Sequence, residues 1–237
     1  MPSGTLGFVL QDFYVGEEEQ PFIDWEWIGD NFTDEILPAL WGHIILSFVS
    51  VGIALLIALP TGVLVARYRK AYQPVTYLTG ILFAIPSLAF FAILVAIPGI
   101  GIGRTPAIIA LVAYSLLVLI RNVVTGIDSV PPETIDAARG MGLTNRQILF
   151  GVELPLALPV IVAGIRIATV TMIGIAAIAA YISAGGLGTL IFRGISQNFP
   201  TRIIVGAALT TLLAVAADFL LLRIERALRP WARARKA

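Results

Sequence analysis

Few residues in this 237-residue chain are of a type that does chemistry. Cysteine is absent and histidine occurs once, at His43, which excludes disulfides, thiolate nucleophiles and any metal site built mainly from Cys or His. Lysine occurs only at Lys70 and Lys236, and neither follows a glycine, so no G-x-x-x-x-G-K-[ST] phosphate loop is present. If ATP drives this protein, another subunit hydrolyses it. Arg166 and Asp218 lie in apolar runs, where an unpaired charge costs at least roughly 2.5 kcal/mol. Arg166 is expected to snorkel or to join a structural pair. Asp218 and Glu153 are expected to pair with neighbouring basic residues, proton coupling being the sharper alternative. His43 reads as an interfacial polar residue, with a proton sensor as the alternative.

The longest internal stretch too polar for lipid is 128–153, DSVPPETIDAARGMGLTNRQILFGVE. It reads as two short helices. Pro131 and Pro132 suit a first helical turn, Glu133 and Asp136 complement the positive end of the helix dipole, and Gly140 or Gly142 supplies a left-handed terminator. Thr144 with Gln147 three residues on matches a capping box that starts the second helix. Ala137 and Ala138 thin the first helix at its middle, so its backbone can enter a groove of another protein, with Asp136 and Arg139 giving polar register. An amphipathic connector lying on a membrane surface is the alternative.

The elements that hold this loop follow from composition. Of all residues, 58% are hydrophobic and 13% charged, too few polar groups to cover a water-soluble globule. A helix needs about 20 apolar residues to cross hydrocarbon. Five segments satisfy that ruler, at about 37–66, 72–97, 105–127, 155–184 and 203–225, giving an all-α polytopic membrane protein with a transmembrane domain over 36–228. Pro60 and Pro86 permit kinks within spans. Alternate crossing places twelve basic residues on one side and only Arg104, Arg193 and Arg202 on the other. The positive-inside rule then puts the C-terminus in the cytoplasm and the N-terminus outside. Nine of the fifteen acids lie in 1–35, an extracytoplasmic tail without Lys or Arg. The first basic residue is Arg67, so a cleavable signal peptide is not expected. The basic cytoplasmic tail, 229–237, suits anionic inner-leaflet lipid, with a sensor of ionic strength as a bolder reading. Gly185, Gly186 and Gly188 suggest a tight external turn. Arg121 and Asn122 end the third span beside the loop.

The run Asp136-Ala137-Ala138, Gly142, then Val152, Leu154 and Pro155 resembles the E-A-A, Gly, I-x-L-P signature of ABC importer permeases, binding-protein-dependent inner-membrane components. Asp136 stands where that family usually has Glu, and Val152 where it has Ile. The resemblance implies a methionine-importer-permease-like fold and a coupling helix that fits a cleft in the ATP-binding subunit. It assigns ATPase coupling to Asp136, Ala137, Ala138, Gly142, Val152, Leu154 and Pro155.

Strings such as FAIPSLAFF from Phe83, ELPLALPVIVAGIR from Glu153 and AGGLGTLIFRGI from Ala184 are similar to the osmoprotectant branch, which imports glycine betaine, choline or carnitine. Short permeases for methionine and other amino acids share much of this pattern. The resemblance implies two cytoplasmic ATPases that bind ATP and Mg, a second permease copy or paralogue, and an extracytoplasmic solute-binding protein. It implies no cofactor and no catalytic residue in this chain, and a prokaryotic plasma membrane location. Aromatic residues suited to a quaternary ammonium include Phe22, Trp25, Trp27, Trp41, Phe83, Phe90, Phe91 and Tyr114, without forming a visible cage. A passive osmotically gated channel is the competing class, and a membrane-embedded hydrolase a weaker one.

Overall fold

The computed structural model describes residues 22–228, so 1–21 of the acidic tail and the basic tail 229–237 lie outside it. Helix α1, Trp25–Asp30, is capped by Asp24, whose carboxylate accepts the Trp27 N–H at 2.9 Å. A wide turn, Phe32–Ile36, leads into α2, Leu37–Arg67. A 3-10 turn, Arg69–Ala71, then opens α3, Tyr72–Ala84, followed by α4, Ser87–Ala96. Helix α5 is Arg104–Asp128, and α6 is Pro132–Gly140. Helix α7, Asn145–Ile148, passes through a wide turn, Leu149–Glu153, into α8, Leu154–Ile178, which ends in a 3-10 turn, Ala179–Ile182. Helices α9, Gly188–Ser196, and α10, Pro200–Ala227, complete the described chain.

Among the described residues four stretches are each long and apolar enough to cross a membrane, and α3 with α4 makes a fifth if the bent pair is one span. Helix α5 is the mast. Over its most apolar stretch 56% of α5 is buried inside the chain, against 11% for α10, so α10 leaves most of its surface for lipid or another subunit. Small residues let the mast pack closely. A Cβ on Gly164 of α8 would lie 2.3 Å from the Asn122 Cβ of α5, so only glycine fits at that crossing. Asn122 is thus a packing residue, its amide donating to the Val118 carbonyl at 2.8 Å, while Arg121 is exposed.

The ends of the bundle are sorted by ion pairs. Arg67 pairs with Glu153 and Arg69 with Asp128 at the end that carries α6, here called the loop end. Glu35 binds Arg193 at 3.2 Å and Arg202 at 2.9 Å at the far end. There Asp24 also donates its N–H to Thr201 Oγ1 at 2.9 Å, and Arg202 lies 4.9 Å from the Trp27 ring centroid.

Two sequence expectations change. The expected span 72–97 is divided, α3 and α4 meeting at 95°. Pro86 has no N–H and disfavours helical geometry at the residue before it, and Ile85 is extended, with ψ 127°. Pro60, by contrast, stays inside α2. The carbonyl freed at Ile85 accepts the Tyr114 hydroxyl at 2.7 Å, which meets the requirement that backbone in hydrocarbon be bonded internally. Phe83 and Phe90 meet the Tyr114 ring edge to face, at 5.9 and 5.5 Å, so these aromatics form packing around the break. The second expected loop helix is also not separate: α7 runs through the wide turn into α8, giving one rod from Asn145 to Ile182. Tyr114→Phe should keep the ring packing but leave the Ile85 carbonyl unpaired, costing roughly 1–3 kcal/mol. A lowered thermal unfolding midpoint of the purified protein checks this.

Candidate functional site

The loop is built by local chemistry that its sequence declares. Pro131 is extended, with φ −59° and ψ 132°, and Pro132 opens α6 with Glu133 in the first turn. Arg139 reaches back to Asp136 at 3.3 Å. Past the helix, Gly142 has φ +82°, a left-handed conformation in which a side chain is strained, so Gly142 and not Gly140 is the terminator. Its N–H donates to the Arg139 carbonyl at 2.9 Å, and the Leu143 N–H donates to the Ala138 carbonyl at 3.2 Å. Thr144 then caps α7: its N–H donates to Gln147 Oε1 at 2.8 Å, and the Gln147 N–H donates to Thr144 Oγ1 at 3.4 Å.

Burial divides the alanine pair. Asp136 and Ala137 are exposed, whereas Ala138 is 2% exposed. One residue is about 100° around a helix, enough to turn one methyl outward and the next inward. Helix α6 lies against α7 and the Leu149–Glu153 turn, and the small Ala138 permits that approach. The expectation that both alanines thin the helix for a foreign groove is therefore corrected: Ala137 has the outward position and Ala138 packs within the chain. Gly142 is exposed, as is the neighbouring Met141 at 74%. Val152 and Leu154 are half-buried at the loop base, and Leu154 packs beside Val123, Ile127, Ala157 and Ile161. Pro155 is exposed in the first turn of α8.

Several polar residues of the spans are tied down. His43 is fully buried, which corrects its interfacial reading. Its Nε2–H donates to the Ile173 carbonyl at 2.9 Å, and its Nδ1 accepts the Leu187 N–H at 3.2 Å. Only the neutral Nε2–H tautomer makes both bonds. The ring thus joins α2, α8 and the segment before α9. Gly185 and Gly186 of that segment have φ +85° and +82°, but Gly188 already belongs to α9, so the expected glycine turn is shorter. Arg166 resolves as a structural pair: it binds Asp218 of α10 and approaches Glu225 at 3.5 Å. Asp218 also borders a groove of about 360 Å³ between α8 and α10, with Val170, Gly174, Thr210, Thr211, Ala214 and Val215. Trp27 packs on Phe199 at 5.4 Å.

The partners of Glu153 and Asp128 were not identifiable by local spacing, because Arg67 and Arg69 lie 86 and 59 residues away. The available signal was the assignment of all four to one side.

These features define a class: an all-helical, multi-spanning membrane subunit with a short helix displayed beyond one end of the bundle. Residues 58–231 match the binding-protein-dependent transport system inner membrane component, and the chain belongs to that family. It is 44% identical over 191 residues to the osmoprotectant import permease protein OsmW of Salmonella typhimurium, covering 79% of this chain and 89% of that protein. It is 41% identical over 195 residues to the carnitine transport permease protein OpuCB of Listeria monocytogenes, covering 82% and 88%. With the choline transport system permease protein OpuBB of Bacillus subtilis it shares 41% over 196 residues, covering 83% and 89%. Its fold matches a chain of the MetNI methionine ABC transporter in an inward-facing conformation, with a TM-score of 0.74 and 29% identity over 81% of this chain and 95% of that one.

The division between Ala137 and Ala138 yields a stability contrast. Ala138→Glu buries a carboxylate against α7 and should loosen the loop, seen as faster proteolysis within 129–153. Ala137→Glu should change stability by no more than about 0.5 kcal/mol, as exposed substitutions do.

Proposed function

We propose that this chain is the permease subunit of an ATP-driven importer that carries an osmoprotectant such as glycine betaine, choline or carnitine across the plasma membrane. The observation that carries the importer reading is the Asp136–Ala137–Gly142 surface, solvent-exposed at the end of the bundle where Arg67, Arg69, Lys70, Arg139 and Arg146 also lie. That basic end is cytoplasmic by the positive-inside rule, which leaves the N-terminus outside and the C-terminus inside. There a separate ATPase, carrying its own ATP and Mg, receives α6 in a cleft, with Ala137 at the contact and Asp136 fixing register. Val152, Leu154 and Pro155 join the loop to α8.

The solute assignment rests on relatives named for osmoprotectant, carnitine and choline transport. A second permease copy or paralogue completes the pathway, consistent with the sparse burial of α10. An external binding protein delivers the solute. Closure of the ATPases draws the two α6 helices together and opens the pathway outward. A methionine permease is the second reading, favoured by the fold match to MetNI.

The test is uptake of labelled glycine betaine, choline, carnitine and methionine by the reconstituted complex. ATP-dependent uptake of the quaternary amines is expected; uptake of methionine alone would replace the solute assignment, and flux without ATP would replace the importer. Ala137→Glu should abolish co-purification of the ATPase while membrane insertion is retained, and full co-purification would reject the docking role.

A further inference from the structure

The docking loop is bracketed by acids that the coupling signature does not contain. Asp128 is the last residue of α5 before the loop, and Glu153 immediately precedes α8 after it. Both are held by one short segment far away in sequence. Arg67, the last residue of α2, binds Glu153, and Arg69, two residues on, binds Asp128 with two hydrogen bonds, its Nη1 lying 2.9 Å from Oδ2. The turn between α2 and α3 therefore closes across both feet of the loop.

The two links differ in kind. The Glu153 side chain is 2% exposed and that of Arg67 37%, whereas the Arg69 and Asp128 side chains are 60% and 37% exposed. A desolvated carboxylate holds its partner far more tenaciously than a solvated one, because separation leaves a charge without water or counter-ion. The Arg67–Glu153 pair is thus the stiff link, and Arg69–Asp128 the compliant one. Glu153 also sits within the continuous rod Asn145–Ile182, so it moves with the segment on which α6 rests.

We infer that Arg67 and Glu153 are positioning residues for transport, carrying the displacement of the docking loop into the α2–α3 turn and so into α2 and the bent pair α3–α4. This rests on the proposed docking of an ATPase at α6, and extends it from where the motor binds to where its movement goes. Both residues lie behind the docking surface, so weakening their link removes transmission and leaves docking in place.

The test compares Arg67→Gln, Glu153→Gln, their double variant and the charge-swapped R67E/E153R in the full complex. Three quantities are read: ATPase co-purified, ATP hydrolysed, and solute taken up per ATP. The expected result is wild-type co-purification and sustained hydrolysis, with solute per ATP falling about tenfold in the neutral variants and recovering in the swapped one. Neutral variants that co-purify the ATPase and keep wild-type solute per ATP would overturn the inference. Failure of the docking reading looks different: the wild-type permease co-purifies no ATPase, or Ala137→Glu does so normally.

Because Arg67→Gln leaves the buried Glu153 carboxylate unpaired and can fail to fold, a second measurement uses the intact pair. The native chain has no cysteine, so Tyr68→Cys, at an exposed position between the two arginines, gives a single label site. Its maleimide labelling rate should change severalfold between nucleotide-free and ATP-trapped complexes. Equal rates in the two states would likewise overturn the inference.

Discussion

Hydrocarbon offers no hydrogen bonds, and that constraint organises the breaks and polar residues within the described spans. Where the helix path breaks at Ile85, the freed carbonyl is met by the Tyr114 hydroxyl. Where the chain leaves α8 and approaches α9, the Leu187 N–H is met by His43, whose other nitrogen takes the Ile173 carbonyl. Arg166, about 18 Å along α8, is held by Asp218 and Glu225. Each of these three departures from an apolar helix has a named partner on a different helix. The polar contacts therefore do more than satisfy groups: they fix which helices are neighbours and at what height.

The same constraint explains which parts were legible in sequence. Span positions follow from apolar length, and the loop helix from Pro132, Gly142 and the Thr144–Gln147 cap, all of which act within a few residues. Pro86 marked a possible kink, but whether it bends a span or breaks it depends on whether a distant donor can reach Ile85. Tyr114 lies 29 residues away, and nothing local names it. His43 failed for the same reason. Its depth along α2 suggested an interface, while its burial comes from α8 and the segment at Gly186, more than 120 residues on. Ala137 and Ala138 form a simpler case. Sequence gave their size, but their opposite directions are set by α7 and the following turn, against which α6 packs.

The two ends of the bundle are built on different principles. At the far end one carboxylate, Glu35, gathers Arg193 and Arg202, and the short helices α1 and α9 are drawn over the bundle through Thr201, Trp27 and Phe199. At the loop end two carboxylates are gripped by two arginines of a single turn. One arrangement converges on a single acid, and the other spans a gap between helices. A convergent cluster holds short elements against the bundle; a pair of parallel links ties two helix ends to a third segment.

On the proposed function this asymmetry has a mechanical consequence. The rod from Asn145 to Ile182 begins beside α6 and carries, near its other end, the Ile173 carbonyl that binds His43. A helix of 38 residues spans roughly 57 Å if straight, long enough to connect the loop end to the far end of the bundle. Tilt about the crowded Asn122–Gly164 crossing of α5 and α8 would move the two ends of the rod in opposite directions. The loop end carries Glu153 with it, and the far end carries the backbone that His43 ties to α2 and to the segment before α9. Alternating access requires this inverse relation, in which closing one end opens the other. On the proposed function, that relation rests on the continuous Asn145–Ile182 helix, the close crossing at Gly164, and a polar tie on either side of it.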